Sequence, residues 1–127
     1  MRRYETAVSR ARGRGSAKNG FHHWWHQRLT AVALVPLMLW LGIGLALQAG
    51  AEFEAARAWV AHPVNATLLI AAIVMLLYHG ALGVQVVIED YVHTEGLKWM
   101  GNLAVYAACF LLAVAGILAV IQIVLGG

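Results

Sequence analysis

The chain has 127 residues, of which 61% are hydrophobic and only 12% are charged, with a formal net charge of +3. A soluble domain is about 45–50% apolar and about 25% charged, and a chain this short cannot bury so large an apolar excess in a water-facing core. Seven of the nine Lys and Arg residues lie in the first 28 positions, which indicates membrane topology and gives no support to a nucleic-acid partner.

The amino-terminal 20 residues are polar, basic and rich in glycine. We expect them to form a flexible tail ahead of a single membrane domain that covers residues 21–127. Residues 21–28 are aromatic and cationic, a composition typical of the membrane–water interface. Because cytoplasmic segments carry the excess of Lys and Arg, the basic tail predicts a cytoplasmic amino terminus.

Three apolar blocks follow, each long enough for a helix that crosses about 30 Å of hydrocarbon. The predicted spans cover roughly residues 29–48, 64–88 and 101–125. Residues 51–61 predict a short amphipathic helix on the membrane surface, and Pro63 suits the first turn of the next span. Residues 89–100 are polar and are expected to form a loop. The predicted fold class is therefore an all-α membrane protein with three transmembrane helices.

The second span contains a histidine, His79, deep within its apolar run. It lies nine residues before Ile88, or about 13 Å into the membrane at 1.5 Å per residue. Ionisable groups at this depth are rare and usually functional. The neighbouring Gly80 and Gly83 allow the close approach of another helix or of a flat macrocycle. His79 is thus a candidate axial ligand of a haem iron, the alternative being a histidine that bonds to a neighbouring helix.

Two further candidates, Asp90 and Tyr91, stand at the end of the same span. Eleven residues separate His79 from Asp90, which is about three helical turns plus 20°, so both fall on one helix face. The phenol of Tyr91, at the interface, could donate a hydrogen bond to a quinone carbonyl. The alternatives are a charged helix end for Asp90 and an interfacial aromatic residue for Tyr91.

The cationic residues before the first span are candidates for binding carboxylates, such as haem propionates. His22 and Arg28 belong to this group, with lipid headgroup contact or a subunit interface as the alternative. The spacing of His23 and His26 suits a metal on a helix, but no Asp, Glu or Cys in residues 21–28 completes such a site.

Two stretches, 19–31 (NGFHHWWHQRLTA) and 79–92 (HGALGVQVVIEDYV), carry a family resemblance. With the three-span layout they resemble the D-type membrane-anchor subunits of bacterial succinate dehydrogenase, respiratory complex II, as found in alphaproteobacteria. The resemblance implies a multi-pass protein of the bacterial inner membrane that forms half of a six-helix cytochrome b anchor. It also implies three partner subunits, namely a C-type cytochrome b anchor, an iron–sulfur protein and a flavoprotein.

The same resemblance implies roles for individual residues. His79 would be one axial ligand of a haem b shared with the C-type subunit, in a pocket that includes Gly83. His22 and Arg28 would lie near the haem propionates. The quinone site would contain Tyr91 and Asp90 and would bind ubiquinone. The chain would not be catalytic alone.

Two other functions remain open from the residues. The first is the anchor of a related quinol:fumarate reductase, which would share this fold. The second is a non-redox membrane assembly or scaffold protein, in which His79 only packs.

Overall fold

The computed structural model describes residues 17–126, with side chains from Phe21 onward. The described chain forms four helices: α1 (Ala17–Gln48), α2 (Phe53–Ala61), α3 (Pro63–Tyr91) and α4 (Glu95–Val124). The helices α1, α3 and α4 are each long and apolar enough to cross a membrane. The predicted all-α class with three spans is therefore confirmed, while residues 1–16 of the predicted tail lie outside the described residues.

Helix α3 contacts both α1 and α4 and runs antiparallel to each of them. Pairs across α3 and α4 fix this direction, because Ile88 lies against Gly101 and Ile73 lies against Gly116. The start of α1, the end of α3 and the start of α4 therefore meet at one end of the bundle, which we call the amino-terminal end.

The core of the bundle combines small residues with the larger Leu34, Leu82 and Val120. Ala66, Ala72 and Ala81 of α3 are buried, whereas many large apolar side chains point outward. Helix association in lipid depends on close backbone approach, because the hydrocarbon is as apolar as the side chains. The outward leucines, valines and isoleucines suit contact with lipid or with other membrane helices.

The predicted loop over residues 89–100 is wrong in extent. Helix α3 continues through Tyr91 and α4 begins at Glu95, so only residues 92–94 link them. Helix α1 likewise begins at Ala17, so the last four residues of the predicted tail belong to this helix. Polar side chains ended the apolar runs in the sequence, but they do not prevent the backbone from continuing its helical hydrogen bonds.

The short helix α2 confirms the amphipathic helix predicted over residues 51–61. Phe53, Ala56 and Val60, which share one face, line a groove against Ile123 of α4. At its end His62 caps α3 by accepting a hydrogen bond from the Val64 backbone amide at 3.3 Å. Pro63 is the first residue of α3, as predicted.

Candidate functional site

The side chain of His79 is held between α3 and α1. Its Nδ1 lies 2.9 Å from Oγ1 of Thr30, a side chain that is only 5% exposed. The Thr30 hydroxyl also lies 2.8 Å from the carbonyl oxygen of His26 and 3.0 Å from that of Gln27. The Nδ1 atom of His79 is therefore bonded to a neighbouring helix, as the alternative interpretation of this histidine expects.

The second ring nitrogen of His79 has a weaker neighbour. Nε2 of Gln27 lies 3.5 Å from His79 Nε2, at the outer limit of a hydrogen bond. The same amide nitrogen would lie 3.6 Å from a Cβ placed on Gly83. His79 and Gly83 therefore meet one side chain of α1, as their spacing on one helix face predicts. The Oε1 atom of Gln27 is buried and has no hydrogen-bond partner.

Helix α1 turns a single stripe of residues toward α3. His23 and Gln27 on this stripe are half-buried, and Thr30 and Leu34 are buried. Spacings of four, three and four residues keep side chains on one side of a helix. His23 Nε2 is, like Gln27 Oε1, a buried polar atom without a hydrogen-bond partner. Polar groups of this stripe, and not those of neighbouring positions, lie nearest His79.

A second hydrogen bond joins α1 to α3 beside the first. Nδ1 of His26 lies 3.1 Å from the hydroxyl of Tyr78. The sequence left the role of His26 open, and the structure gives it this contact. Since consecutive pairs on both helices meet, the two helices are fixed in register at the level of His79.

The two residues expected near haem propionates lie on exposed parts of α1. The ring of His22 makes an edge contact with Phe21. The Arg28 guanidinium lies 5.4 Å above the ring of Trp24, a cation–π geometry. Within this chain His22 and Arg28 are therefore directed away from the α1 stripe that contacts His79.

A polar chain crosses from α4 to α3 nearer the amino-terminal end. The Tyr106 hydroxyl donates to Oε1 of Gln85 at 2.6 Å, and Gln85 Nε2 donates to Oε1 of Glu89 at 2.7 Å. Tyr106 of α4 therefore bonds to α3 through this contact. The sequence feature that could have indicated this contact is Gln85, a polar residue inside an apolar span and six residues from His79.

The last two predicted site residues lie at the amino-terminal end of the bundle. Asp90 and Tyr91 form the end of α3, and Tyr91 is 78% exposed. The same end carries a shallow polar cleft lined by Glu89, Glu95, Lys98, Trp99 and Asn102. Tyr91 is separated from His79 by twelve residues of continuous helix, or about 18 Å along the axis.

His79 itself lies near the centre of its helix. Helix α3 has 29 residues, so its middle residue is position 77, two residues from His79. Among the residues that the structure describes, no three His, Cys, Asp or Glu side chains converge on a metal position. His79 would therefore provide one nitrogen ligand near the middle of the span. The exposed Asp90 and Tyr91 lie apart from it, at one end of the same helix.

Three long spans, a short connecting helix and a histidine near the middle of a span define a multi-pass α-helical membrane protein. The chain belongs to the family of succinate dehydrogenase/fumarate reductase transmembrane subunits, which it matches over residues 2–120. It is a multi-pass protein of the bacterial inner membrane. No solved structure matches the chain significantly.

Relatives from three organisms support this assignment. The chain is 37% identical to the succinate dehydrogenase hydrophobic membrane anchor subunit of Rickettsia bellii, over 92% of this chain and 94% of the relative. It is 33% identical to the succinate dehydrogenase membrane anchor subunit of Reclinomonas americana, over 61% and 68%. The hydrophobic membrane anchor subunit of Paracoccus denitrificans is 32% identical, over 70% and 69%.

Proposed function

We propose that this chain anchors succinate dehydrogenase to the membrane and supplies half of a haem b site and part of a ubiquinone site. The observation that carries the haem part is the geometry of His79. Its Nδ1 is engaged by Thr30, while its Nε2 faces only an amide nitrogen at 3.5 Å. A histidine whose one ring nitrogen is held by a hydrogen bond, and whose other nitrogen is only weakly engaged, can ligate a metal through that second nitrogen.

The neighbourhood of His79 fits a flat macrocycle. The side chain beside Nε2, Gln27, has a buried amide oxygen without a hydrogen-bond partner, so that oxygen does not tie the amide in place. A Cβ placed on Gly83 would have only the Gln27 side chain within 4 Å, and a Cβ placed on Gly80 would have no neighbour within that distance. The helix surface beside His79 is therefore open. His79 would hold the iron through Nε2, and bound haem would supply one-electron redox chemistry near the membrane centre.

His22 and Arg28 are proposed to bind the haem propionates. Both side chains are exposed, and both lie in the part of α1 that is at the amino-terminal end of the bundle. His22 and Arg28 would hold the propionates of a bound haem, because cationic side chains form charge-assisted hydrogen bonds with carboxylates. Arg28 can leave the Trp24 ring for a carboxylate, since an exposed cation–π contact is worth only about 0.5–1 kcal/mol.

Tyr91 and Asp90 are proposed to serve the quinone. Reduction of ubiquinone to ubiquinol takes up two electrons and two protons, and negative charge develops on a carbonyl oxygen as electrons arrive. A phenol that donates a hydrogen bond to that oxygen stabilises the developing charge. The 78% exposure of Tyr91 leaves its hydroxyl accessible to a quinone between subunits. Asp90, exposed beside it, would tune this hydrogen bond or pass protons.

The proposed partners are those that membership of this family implies. The second axial ligand would come from a C-type cytochrome b anchor subunit, which completes a six-helix module. Succinate would be oxidised on a flavoprotein, and electrons would reach the quinone through an iron–sulfur protein docked at the amino-terminal end. The positive-inside rule would place that end in the cytoplasm. A quinol:fumarate reductase anchor would share each of these residue roles and differ in the direction of electron flow.

The deciding experiment is a reduced-minus-oxidised absorption spectrum of the complex purified through a tag on this chain. We expect a low-spin b-type signal that is lost on His79→Ala and kept on His93→Ala, a change at an exposed histidine in the link between α3 and α4. Unchanged haem in the His79→Ala complex would exclude His79 as ligand. A wild-type chain that purifies with neither haem nor partner subunits would favour the non-redox assembly or scaffold function.

A further inference from the structure

We infer that Thr30 is a positioning residue that fixes the proton of His79 on Nδ1, so that the lone pair of Nε2 is always available to a metal. The inference rests on the proposed function for its spectroscopic readout. Its basis is a set of four contacts around one buried hydroxyl and the ring that it meets.

The Thr30 hydroxyl has one proton and three neighbours. Two of them, the backbone carbonyls of His26 and Gln27 at 2.8 and 3.0 Å, are acceptors only. The third is His79 Nδ1 at 2.9 Å. Because neither carbonyl can donate, the hydroxyl proton is directed toward them and the oxygen lone pairs face His79. The bond is satisfied when His79 Nδ1–H donates to Thr30 Oγ1.

The other ring nitrogen agrees with this assignment. Gln27 turns its amide nitrogen, a pure donor, toward His79 Nε2 at 3.5 Å. A donor faces Nε2 favourably only if that nitrogen carries a lone pair. Both sides of the imidazole therefore select the same tautomer, and the buried position of Thr30 keeps water from replacing its hydroxyl.

A hydrogen bond from Nδ1–H also changes the electronics of the ring. Donation to an oxygen increases the electron density at Nε2 and makes the imidazole a more basic ligand. A more basic ligand favours the ferric over the ferrous iron. Thr30 would therefore lower the midpoint potential of the haem and strengthen its retention, in addition to orienting the ring.

The test compares Thr30→Val with Thr30→Ser in the intact, affinity-purified complex. Valine keeps the shape and removes the hydroxyl, whereas serine keeps the hydroxyl. Thr67→Val is the matched control, since Thr67 makes the same type of bond to a backbone carbonyl, Pro63 O at 2.8 Å, but lies on the exposed side of α3 far from His79. The readouts are haem per complex and the midpoint potential from a redox titration.

We expect Thr30→Val to weaken haem retention by about 10–100-fold, the usual effect of removing the hydrogen-bond partner of a ligating histidine. Where haem is retained, a tenfold selective loss of ferric affinity would raise the midpoint potential by about 59 mV. Thr30→Ser and Thr67→Val should both match the wild type. A Thr30→Val complex that loses its haem while Thr30→Ser keeps it at the wild-type potential supports the inference equally.

Two results would overturn the inference and leave His79 as the ligand. One is wild-type haem content and potential in Thr30→Val. The other is the same defect in Thr30→Ser as in Thr30→Val, which would show that the methyl packing matters and the hydroxyl does not. A wild-type complex without haem would instead overturn the proposed haem site, and the positioning role with it.

Discussion

The indole of Trp59 lies directly against the backbone of Gly44. A Cβ placed on Gly44 would stand 2.5 Å from Cζ2 of Trp59, closer than side-chain atoms approach one another. The same indole stacks on Trp40 of α1 at 5.5 Å between ring centroids and 18° between planes. The absence of a side chain at position 44 therefore allows the surface helix α2 to dock on α1.

We expect Gly44→Ala to weaken the docking of α2, because a rigid indole between two helices cannot move aside as a flexible side chain would. The loss should resemble that of overpacking a core, about 1–3 kcal/mol. Thermal stability of the purified complex and protease sensitivity of residues 49–62 are the measurements. Gly42→Ala, where a Cβ would have no neighbour within 4 Å, is the control and should be silent. Equal behaviour of the two variants would contradict this packing.

The hydrogen bond between Tyr106 and Gln85 should stabilise the contact of α4 with α3. Interhelical hydrogen bonds in membranes are worth about 0.6 kcal/mol on average and up to about 1.7 kcal/mol. A double-mutant cycle of Tyr106→Phe and Gln85→Leu measures this coupling from the unfolding of the complex in detergent. At 2.6 Å the bond is short, so we expect a value in the upper half of that range. A coupling energy near zero would mean that the two residues act independently.

Removing the phenol of Tyr91 should slow quinone reduction selectively. A single neutral hydrogen bond contributes about 0.5–1.5 kcal/mol, so Tyr91→Phe should lower kcat/KM for ubiquinone by about two- to tenfold. Succinate oxidation with a soluble artificial acceptor should stay at the wild-type rate. Tyr106→Phe removes a phenol elsewhere in the bundle and serves as the control. If both assays fell in parallel, Tyr91 would have a structural role and not one at the quinone.

Substitutions at Gly83 should affect haem according to their size. Alanine adds a Cβ at 3.6 Å from Gln27 Nε2, an ordinary van der Waals distance, and should retain haem. Leucine would fill the space next to His79 that the proposed macrocycle needs, so Gly83→Leu should reduce haem per complex while partner subunits still co-purify. The reduced-minus-oxidised spectrum of each variant provides the measurement. Full haem content in Gly83→Leu would place the macrocycle away from this glycine.

Much of the fold could be predicted from the sequence because the bilayer imposes simple rules. An apolar run of about 20 residues can satisfy its backbone in lipid only as a helix, so span number and type follow from composition. The helix ends were harder to predict. Glu89 and Trp99 belong to helices although polarity assigned both to a loop, because helical hydrogen bonding does not require apolar side chains.

The candidate site divides in the same way. His79 stands out in the sequence as an ionisable residue in an apolar span, and Asp90 and Tyr91 stand out at the end of it. Thr30 gave a weaker signal, a polar residue next to the start of the first apolar run. Its importance depends on a partner 49 residues away, which local sequence does not reveal.

By itself, then, the sequence determined the three spans, the amphipathic helix between two of them and a histidine at mid-membrane, all of which depend on local composition and spacing. The tertiary structure decided which side of α1 meets that histidine. Successive helix positions are turned by about 100°, so Gln27 and Thr30 face α3 while Arg28 does not. That choice is made by packing between helices, through small buried residues and interhelical hydrogen bonds, and is therefore visible only when the helices are together.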